Sequence, residues 1–201
     1  MNLYWIGKGI VSCFLHLCFR IRVEGIENVP KGQNFVVCAN HKSNLDPPAL
    51  GTAMPISLRF MAKEELFKNK LFGALLRALG AFPIRRGKSD VGALRAAVKM
   101  IQSGESVGIF PEGGRSKNKG QMRRGKSGAV LIALKAGVDI LPVGICGEYK
   151  PFSKIIIRIG TPISMANYHN EKIDGEELQR ITDEELMPAI ATLAEVKVHG
   201  C

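Results

Sequence analysis

Long hydrophobic runs are scarce in this chain of 201 residues. The longest, Leu3 to Phe19, is 17 residues and is broken by Lys8 and His16. A spanning helix needs about 20 apolar residues, so this stretch does not read as a membrane crossing. It also lacks the basic start and small-x-small cleavage site of a secretory signal. Cysteine is equally sparse. Five residues, Cys13, Cys18, Cys38, Cys146 and Cys201, form no C-x-x-C pair. That excludes a disulfide framework and a cysteine-rich zinc site, and suits thiols in a reducing compartment. His41 and Asp46 alone are too few ligands for a metal, and His16 and His169 have no ligand-like neighbours, so no metal and no cofactor is expected. There are no repeats and no low-complexity tract.

Acidic residues are also in deficit, 18 against 28 Lys and Arg, for a net charge of +10. The deficit is uneven. Residues 1–170 hold 25 basic and 10 acidic side chains, whereas 171–185 hold seven acidic and two basic. The main body should therefore attract anions: an acidic membrane face, phosphorylated small molecules, nucleic acid or an acidic protein. The acidic stretch reads as a solvated surface. The segment 1–22, with Tyr4 and Trp5 near its start and Arg20 and Arg22 at its end, fits a helix lying in a membrane interface, with the two arginines at headgroup level.

What is abundant is alternation. Short apolar runs at 34–40, 81–86, 106–111, 139–145 and 154–160 read as strands, and 58–66 begins with one. Between them, 71–80, 91–104 and 127–137 have helical spacing and stop at glycine. Residues 47–56 begin as a helix and break. A last helix is expected over 181–196, opened by a capping box from Thr182 to Glu185. This pattern predicts an α/β fold: a mixed, largely parallel central sheet flanked by helices, with an N-terminal interfacial helical segment. The expected division is a membrane-associating segment at 1–22 and a catalytic domain at 23–201.

Two phrases compete to define the chemistry. GQMRRGKS, Gly120 to Ser127, matches the P-loop expression G-x-x-x-x-G-K-S. A P-loop needs a buried strand running straight into its first glycine, and here the nearest strand ends at Pro111. The match therefore does not predict nucleotide binding. Instead, residues 113–128 form a glycine-containing basic loop with six cations and no acid. It follows the end of a strand, where ligands of open α/β sheets bind. Guanidinium groups on such a loop suit a phosphate monoester. Glu112, at the same strand end, would repel a phosphate and is expected to anchor backbone or an arginine.

The second phrase is NHKSNLDPP, Asn40 to Pro48. His41 follows a strand, and Asp46 precedes Pro47 and is expected to cap a helix. A histidine held by a carboxylate is a general-base pair. No serine or cysteine nucleophile accompanies it, because Ser43 lies only two residues away and no G-x-S-x-G elbow exists. The base is therefore expected to activate a substrate hydroxyl for direct transfer.

Taken in order, four blocks resemble the glycerolipid acyltransferase superfamily, and within it the 1-acyl-sn-glycerol-3-phosphate acyltransferases. They are His-x4-Asp (His41 to Asp46), GAFPIRR (Gly80 to Arg86), FPEGGRS (Phe110 to Ser116) and the strand LPVGI from Leu141. The sequence departs from the family pattern at Gly114, where threonine is usual, and at Pro83. The resemblance implies that His41 is the general base and Asp46 its partner. It implies that Arg86 and Arg115 hold the acceptor phosphate, with Glu112 and Gly113 shaping the turn. Lys117, Arg123, Arg124 and Lys126 are expected at donor phosphates or lipid headgroups. The implied partners are lysophosphatidic acid, acyl-CoA or acyl-carrier protein, and an anionic membrane surface at the cytoplasmic face. A different acceptor (another lysophospholipid, glycerol 3-phosphate or a lipid A precursor) leaves the mechanism unchanged. Nucleic-acid binding by residues 113–128 would leave His41 and Asp46 without a role.

Overall fold

The run Val36-Val-Cys-Ala39 forms a strand with every residue buried, and it is the middle of the molecule. Its side chains alternate, Val36 and Cys38 entering one apolar cluster and Val37 and Ala39 the other. That is the period of two expected of a strand covered on both faces. The structure is a computed structural model that describes residues 3–84, 91–116, 120–168 and 173–198.

In chain order the elements are α1 (Leu3–Cys18), β1 (Arg20–Glu24), β2 (Val36–Ala39), α2 (Asp46–Ala53), β3 (Leu58–Lys63), α3 (Lys70–Ala78) and β4 (Ala81–Ile84). Then come α4 (Val91–Gln102), β5 (Ser106–Ile109), β6 (Gln121–Met122), α5 (Gly128–Ala136), β7 (Ile140–Cys146) and β8 (Lys154–Ile159). A continuous helical rod ends the fold: α6 (Gly175–Ile181), a π-helical turn (Thr182–Leu186) and α7 (Met187–Ala194), followed by β9 (Lys197–Val198). Seven strands make one sheet in the order β1-β8-β7-β2-β5-β3-β4. The five from β7 to β4 are parallel, β8 runs against β7, and β1 runs with β8. Strands β6 and β9 pair separately.

One face of the sheet is covered by α1 and α2 through Leu15, Ala49, Leu50 and Ala53. The other is covered by α4, α5 and the α6–α7 rod through Ala97, Ile101, Val130, Ala133, Ile181 and Ile190. Each fully buried aliphatic side chain in these layers contributes roughly 1.5–3 kcal/mol. The chain leaving β2 passes to β3 on one side, and the chain leaving β5 crosses β2 to reach β7 on the other. A crevice therefore opens at the carboxyl ends of β2 and β5, the place where open α/β sheets bind ligands.

Three sequence expectations are corrected. The last helix starts at Gly175, not Ile181; its cap is Asp174, whose side chain accepts from the N–H groups of Glu176 and Glu177 at 3.0 and 2.9 Å. Thr182 lies inside the rod and donates to Leu178 O at 2.8 Å, so the Thr182–Glu185 box does not form. Buried apolar residues Leu178, Ile181 and Leu186 fix the rod to the core and carry helical structure back through the acidic stretch. Asp46 is the first residue of α2 and not its cap. Arg20 and Arg22 belong to strand β1, in register with Lys154 and Ile156 of β8, so the helix ends at Cys18 and these arginines lie on the edge of the sheet.

α1 has two apolar faces. Inward, Tyr4 and Leu15 are buried, Tyr4 Oη accepts from Leu58 N at 3.0 Å, and Lys8 Nζ donates to Met54 O. Outward, Trp5, Ile6, Ile10, Phe14 and Leu17 are exposed. No described helix is long and apolar enough to cross a membrane.

Candidate active site

β2 delivers His41 to the crevice, and the five residues after it fold around one carboxylate. Asp46 Oδ2 accepts from His41 Nδ1 at 2.9 Å, from Lys42 N at 2.6 Å and from Ser43 N at 2.7 Å. Asp46 is fully buried, while the His41 side chain keeps 17% of its surface exposed. A buried carboxylate is tolerable only when hydrogen-bonded, and here the loop's own N–H groups supply the donors. Asp46 Oδ2 is thus committed to the loop that precedes α2. Donation from Nδ1 leaves the lone pair on Nε2, the nitrogen away from Asp46. The imidazole stacks on Phe110, with ring centres 4.2 Å apart.

The turn after β5 is built on Glu112. Its side chain is buried, and it accepts from His41 N at 2.7 Å through Oε1 and from Arg123 N at 2.8 Å through Oε2. Burial raises its pKa, opposed by those two N–H donors and by His41 and Arg123. The carboxylate thus ties the end of β2, the end of β5 and the returning basic loop together, the anchoring role the sequence suggested. Gly113 has φ +66°, a left-handed conformation that side chains disfavour, and a Cβ there would stand 3.0 Å from Lys126 Cε. A Cβ on Gly114 would stand 2.9 Å from Arg123 Nη1. Arg123 therefore lies over the turn in the space the usual threonine would take.

The basic loop is not a phosphate cradle of the P-loop kind. Such a cradle needs free main-chain N–H groups. Here Arg123 N goes to Glu112 and Lys126 N to Pro111 O at 2.9 Å, and Gln121–Met122 is paired as β6. Of the predicted cations, Arg115, Arg123, Arg124 and Lys126 are exposed. Arg124 binds Asp183 at 2.7 Å, so one end of the acidic stretch is spent on the basic loop. Arg86 and Lys117 lie outside the described residues.

A cavity of about 570 Å³ opens beside His41. Its lining includes Glu112, Ser116, Cys146, Tyr149 and Val196, so the β7–β8 turn and the end of the α7 rod form its far walls. Three residues here escaped the sequence reading. Asn40 locks β2 to β7, donating to Ile145 O at 3.0 Å and accepting from Ile145 N at 2.7 Å. Lys42 Nζ donates to Ile145 O at 2.8 Å and to Gly147 O, and burial lowers its pKa. Tyr149 reaches the site from the β7–β8 turn. Each has its partners or its place about a hundred residues along the chain, a distance no local pattern reports; the phrase NHKSN marks only that polar side chains cluster at a strand end.

The model of the acyltransferase family matches residues 20–146, which contain His41, Asp46, the Glu112 turn and β7. The chain belongs to the acyltransferase family. The acyltransferase is 32% identical over 172 residues to a 1-acyl-sn-glycerol-3-phosphate acyltransferase of Bacillus subtilis, covering 83% of this chain and 85% of the relative. It is also 32% identical over 150 residues to a chloroplastic 1-acyl-sn-glycerol-3-phosphate acyltransferase of Arabidopsis thaliana, covering 73% of this chain and 42% of that one. The crystal structure of the 1-acyl-sn-glycerophosphate acyltransferase PlsC from Thermotoga maritima superposes with a TM-score of 0.71 at 30% identity, covering 95% of this chain and 78% of that one. The acyltransferase thus shares its mixed sheet and flanking helices with that structure, and its His-x4-Asp pair sits at the crevice of the sheet.

Proposed function

We propose that the protein transfers a fatty acyl group from an acyl thioester, acyl-CoA or acyl-carrier protein, to the free sn-2 hydroxyl of 1-acyl-glycerol 3-phosphate, giving phosphatidic acid. The observation that carries the reading is the bond from His41 Nδ1 to the buried Asp46, beside the cavity and the Glu112 turn. His41 Nε2 takes the proton of the acceptor hydroxyl as its oxygen attacks the thioester carbonyl. Asp46 holds the ring and balances the imidazolium. The tetrahedral intermediate collapses with loss of the C–S bond, and the proton passes from His41 to the departing thiolate. The ester C–O bond replaces the thioester, and the imidazole is regenerated.

The acceptor phosphate is assigned to the exposed guanidinium groups of Arg115 and Arg123 on the Glu112–Gly114 turn, with Arg86 completing the set. Glu112 and Gly113 shape this turn and do not touch the ligand. Gly114 supports a phosphate-bearing acceptor: losing the threonine hydroxyl makes room for a stronger, charged donor, Arg123. Lys117 and Lys126 are left for the donor's phosphates or for lipid headgroups, and Arg124 is held by Asp183.

Segment 1–18 is the membrane-associating part in this reading, lying on the cytoplasmic face in a peripheral or monotopic mode. Its outward stripe is supported by α3, where Leu71 and Leu75 are exposed and Ala78 packs on Gly7. The deciding experiment is a transfer assay with labelled acyl-CoA and acyl-carrier protein against lysophosphatidic acid, other lysophospholipids, glycerol 3-phosphate and a lipid A precursor. Preference for lysophosphatidic acid, abolished in a folded His41→Ala variant, is expected. Full activity in that variant overturns the mechanism, and preference for another acceptor overturns the substrate.

A further inference from the structure

Two buried oxygen atoms at the site have no hydrogen-bond partner: Asp46 Oδ1 and Tyr149 Oη. Asp46 Oδ2 is saturated by three N–H donors, so the unused capacity of this carboxylate is confined to Oδ1. A buried carboxylate oxygen without a donor is costly, as is a buried phenol without an acceptor. Lys42 joins the two neighbourhoods: its main-chain N–H donates to Asp46 and its Nζ to Gly147 O, two residues before Tyr149, and Tyr149 and His41 line the same cavity. Burial chiefly, and then the charge of Asp46, hold the proton on Tyr149 far above the ordinary range for a tyrosine. The ring is fixed from behind by edge-to-face contact with Phe19, at 5.4 Å between centres. The turn that carries it is fixed by Lys42 Nζ on Gly147 O and by Phe152 N donating to Cys18 O at 2.7 Å.

We propose that Tyr149 is the second holder of the catalytic carboxylate: its hydroxyl donates to Asp46 Oδ1 in the reacting complex. The two oxygens make no hydrogen bond in this structure; catalytic hydrogen bonds commonly tighten only in the reacting complex. The bond pins the carboxylate from the side opposite His41, so that Oδ2 stays aimed at Nδ1. Tyr149 touches no reacting atom in this role; it is a positioning residue acting through Asp46. Its ring also lines the cavity, which phenylalanine would preserve. The inference rests on the reading of His41 and Asp46 as the general-base pair.

The test is a double-mutant cycle of Tyr149→Phe and Asp46→Asn, with kcat and KM measured for both substrates. Tyr149→Phe is expected to lower kcat about tenfold, the scale of one charged hydrogen bond, with both KM values unchanged. In the Asp46→Asn background the same change is expected to have no further effect, because the group it acts through is gone. An unchanged kcat in Tyr149→Phe, or a further tenfold loss in the double variant, overturns the proposal and leaves the general-base reading standing. Full activity in Asp46→Asn overturns both. A second readout does not depend on turnover. With the three tyrosines labelled with carbon-13 at the hydroxyl-bearing ring carbon, the signal missing from Tyr149→Phe belongs to Tyr149. In substrate-saturated protein that signal alone is expected to shift on Asp46→Asn; an unmoved signal overturns the proposal.

Discussion

The main-chain N–H of His41 donates to Glu112 Oε1 at 2.7 Å, binding the residue after β2 to the turn after β5. The other oxygen of Glu112 takes the N–H of Arg123. Glu112→Ala leaves both N–H groups without their acceptor, at about 1–3 kcal/mol each where they stay dry. A lower midpoint in urea and a reduced kcat are expected, since His41 loses its backbone anchor.

The same residue gives the protein a pH signature. Burial raises the Glu112 pKa above its ordinary 4.5. A carboxyl that binds its proton more tightly when folded stabilises the fold below the unfolded pKa, and that contribution is lost as pH rises through the folded value. The stability of the natural protein relative to Glu112→Gln, which does not titrate, should therefore fall as pH increases from about 4.5 through the window above it. Urea unfolding of both proteins across that range measures the difference. A gap that widens with pH contradicts the assignment.

Removal of the base should be far more costly than removal of its neighbours. His41→Ala is expected to lower kcat by about 10²–10⁴-fold, the usual worth of general-base catalysis. Circular dichroism should be unchanged, because the His41 side chain is partly exposed and lies at the edge of the core. Residual activity within tenfold of the natural protein rules out His41 as the base.

Gly114→Thr restores the residue usual in the family and tests what replaced it. The new side chain meets Arg123 Nη1, which must leave the turn. A rise of about 3–10-fold in the acceptor KM is expected, with kcat and the donor KM nearly constant, the pattern of lost uniform binding. Arg123→Ala should do the same, and an unchanged KM in both would free Arg123 from the phosphate.

The outward stripe of α1 predicts membrane affinity that is separable from folding. Ile10 is 65% exposed and Phe14 57% exposed. Replacing either with glutamate removes roughly 1.5–3 kcal/mol of apolar insertion, so binding to anionic vesicles should weaken about tenfold or more. The melting temperature should stay within a few degrees. Sedimentation with vesicles containing phosphatidylglycerol measures the first, and thermal scanning the second.

The strands were legible because burial on both faces leaves unbroken apolar runs, as in NFVVCAN and DILPVGI. The helices α3, α4 and α5 were legible from their spacing and glycine stops; Gly137 takes φ +70° where the pattern ends. The start of the α6–α7 rod was not, because its acidic surface and central π turn blur the period of 3.6, and a threonine three residues before a glutamate imitates a cap. β1 was hidden for a different reason. RIRVE carries charge at every other position because it lies at the sheet edge, and beside an apolar helix such arginines read as the helix's own end. At the site, His41, Asp46 and Glu112 stand in short phrases at strand ends, where position itself signals chemistry. Asn40, Lys42 and Tyr149 work through partners distant in sequence, and their roles appear only when β2 and β7 lie side by side.

The wall of the cavity formed by Ala194, Glu195 and Val196 has a consequence for how the enzyme is made. On a ribosome, the greasy outer stripe of α1 emerges before His41, while this wall emerges some 150 residues after it. The nascent chain thus carries its exposed apolar stripe long before the cavity has its far wall. A chain cut short before α7 would carry the exposed stripe and His41 but lack that wall.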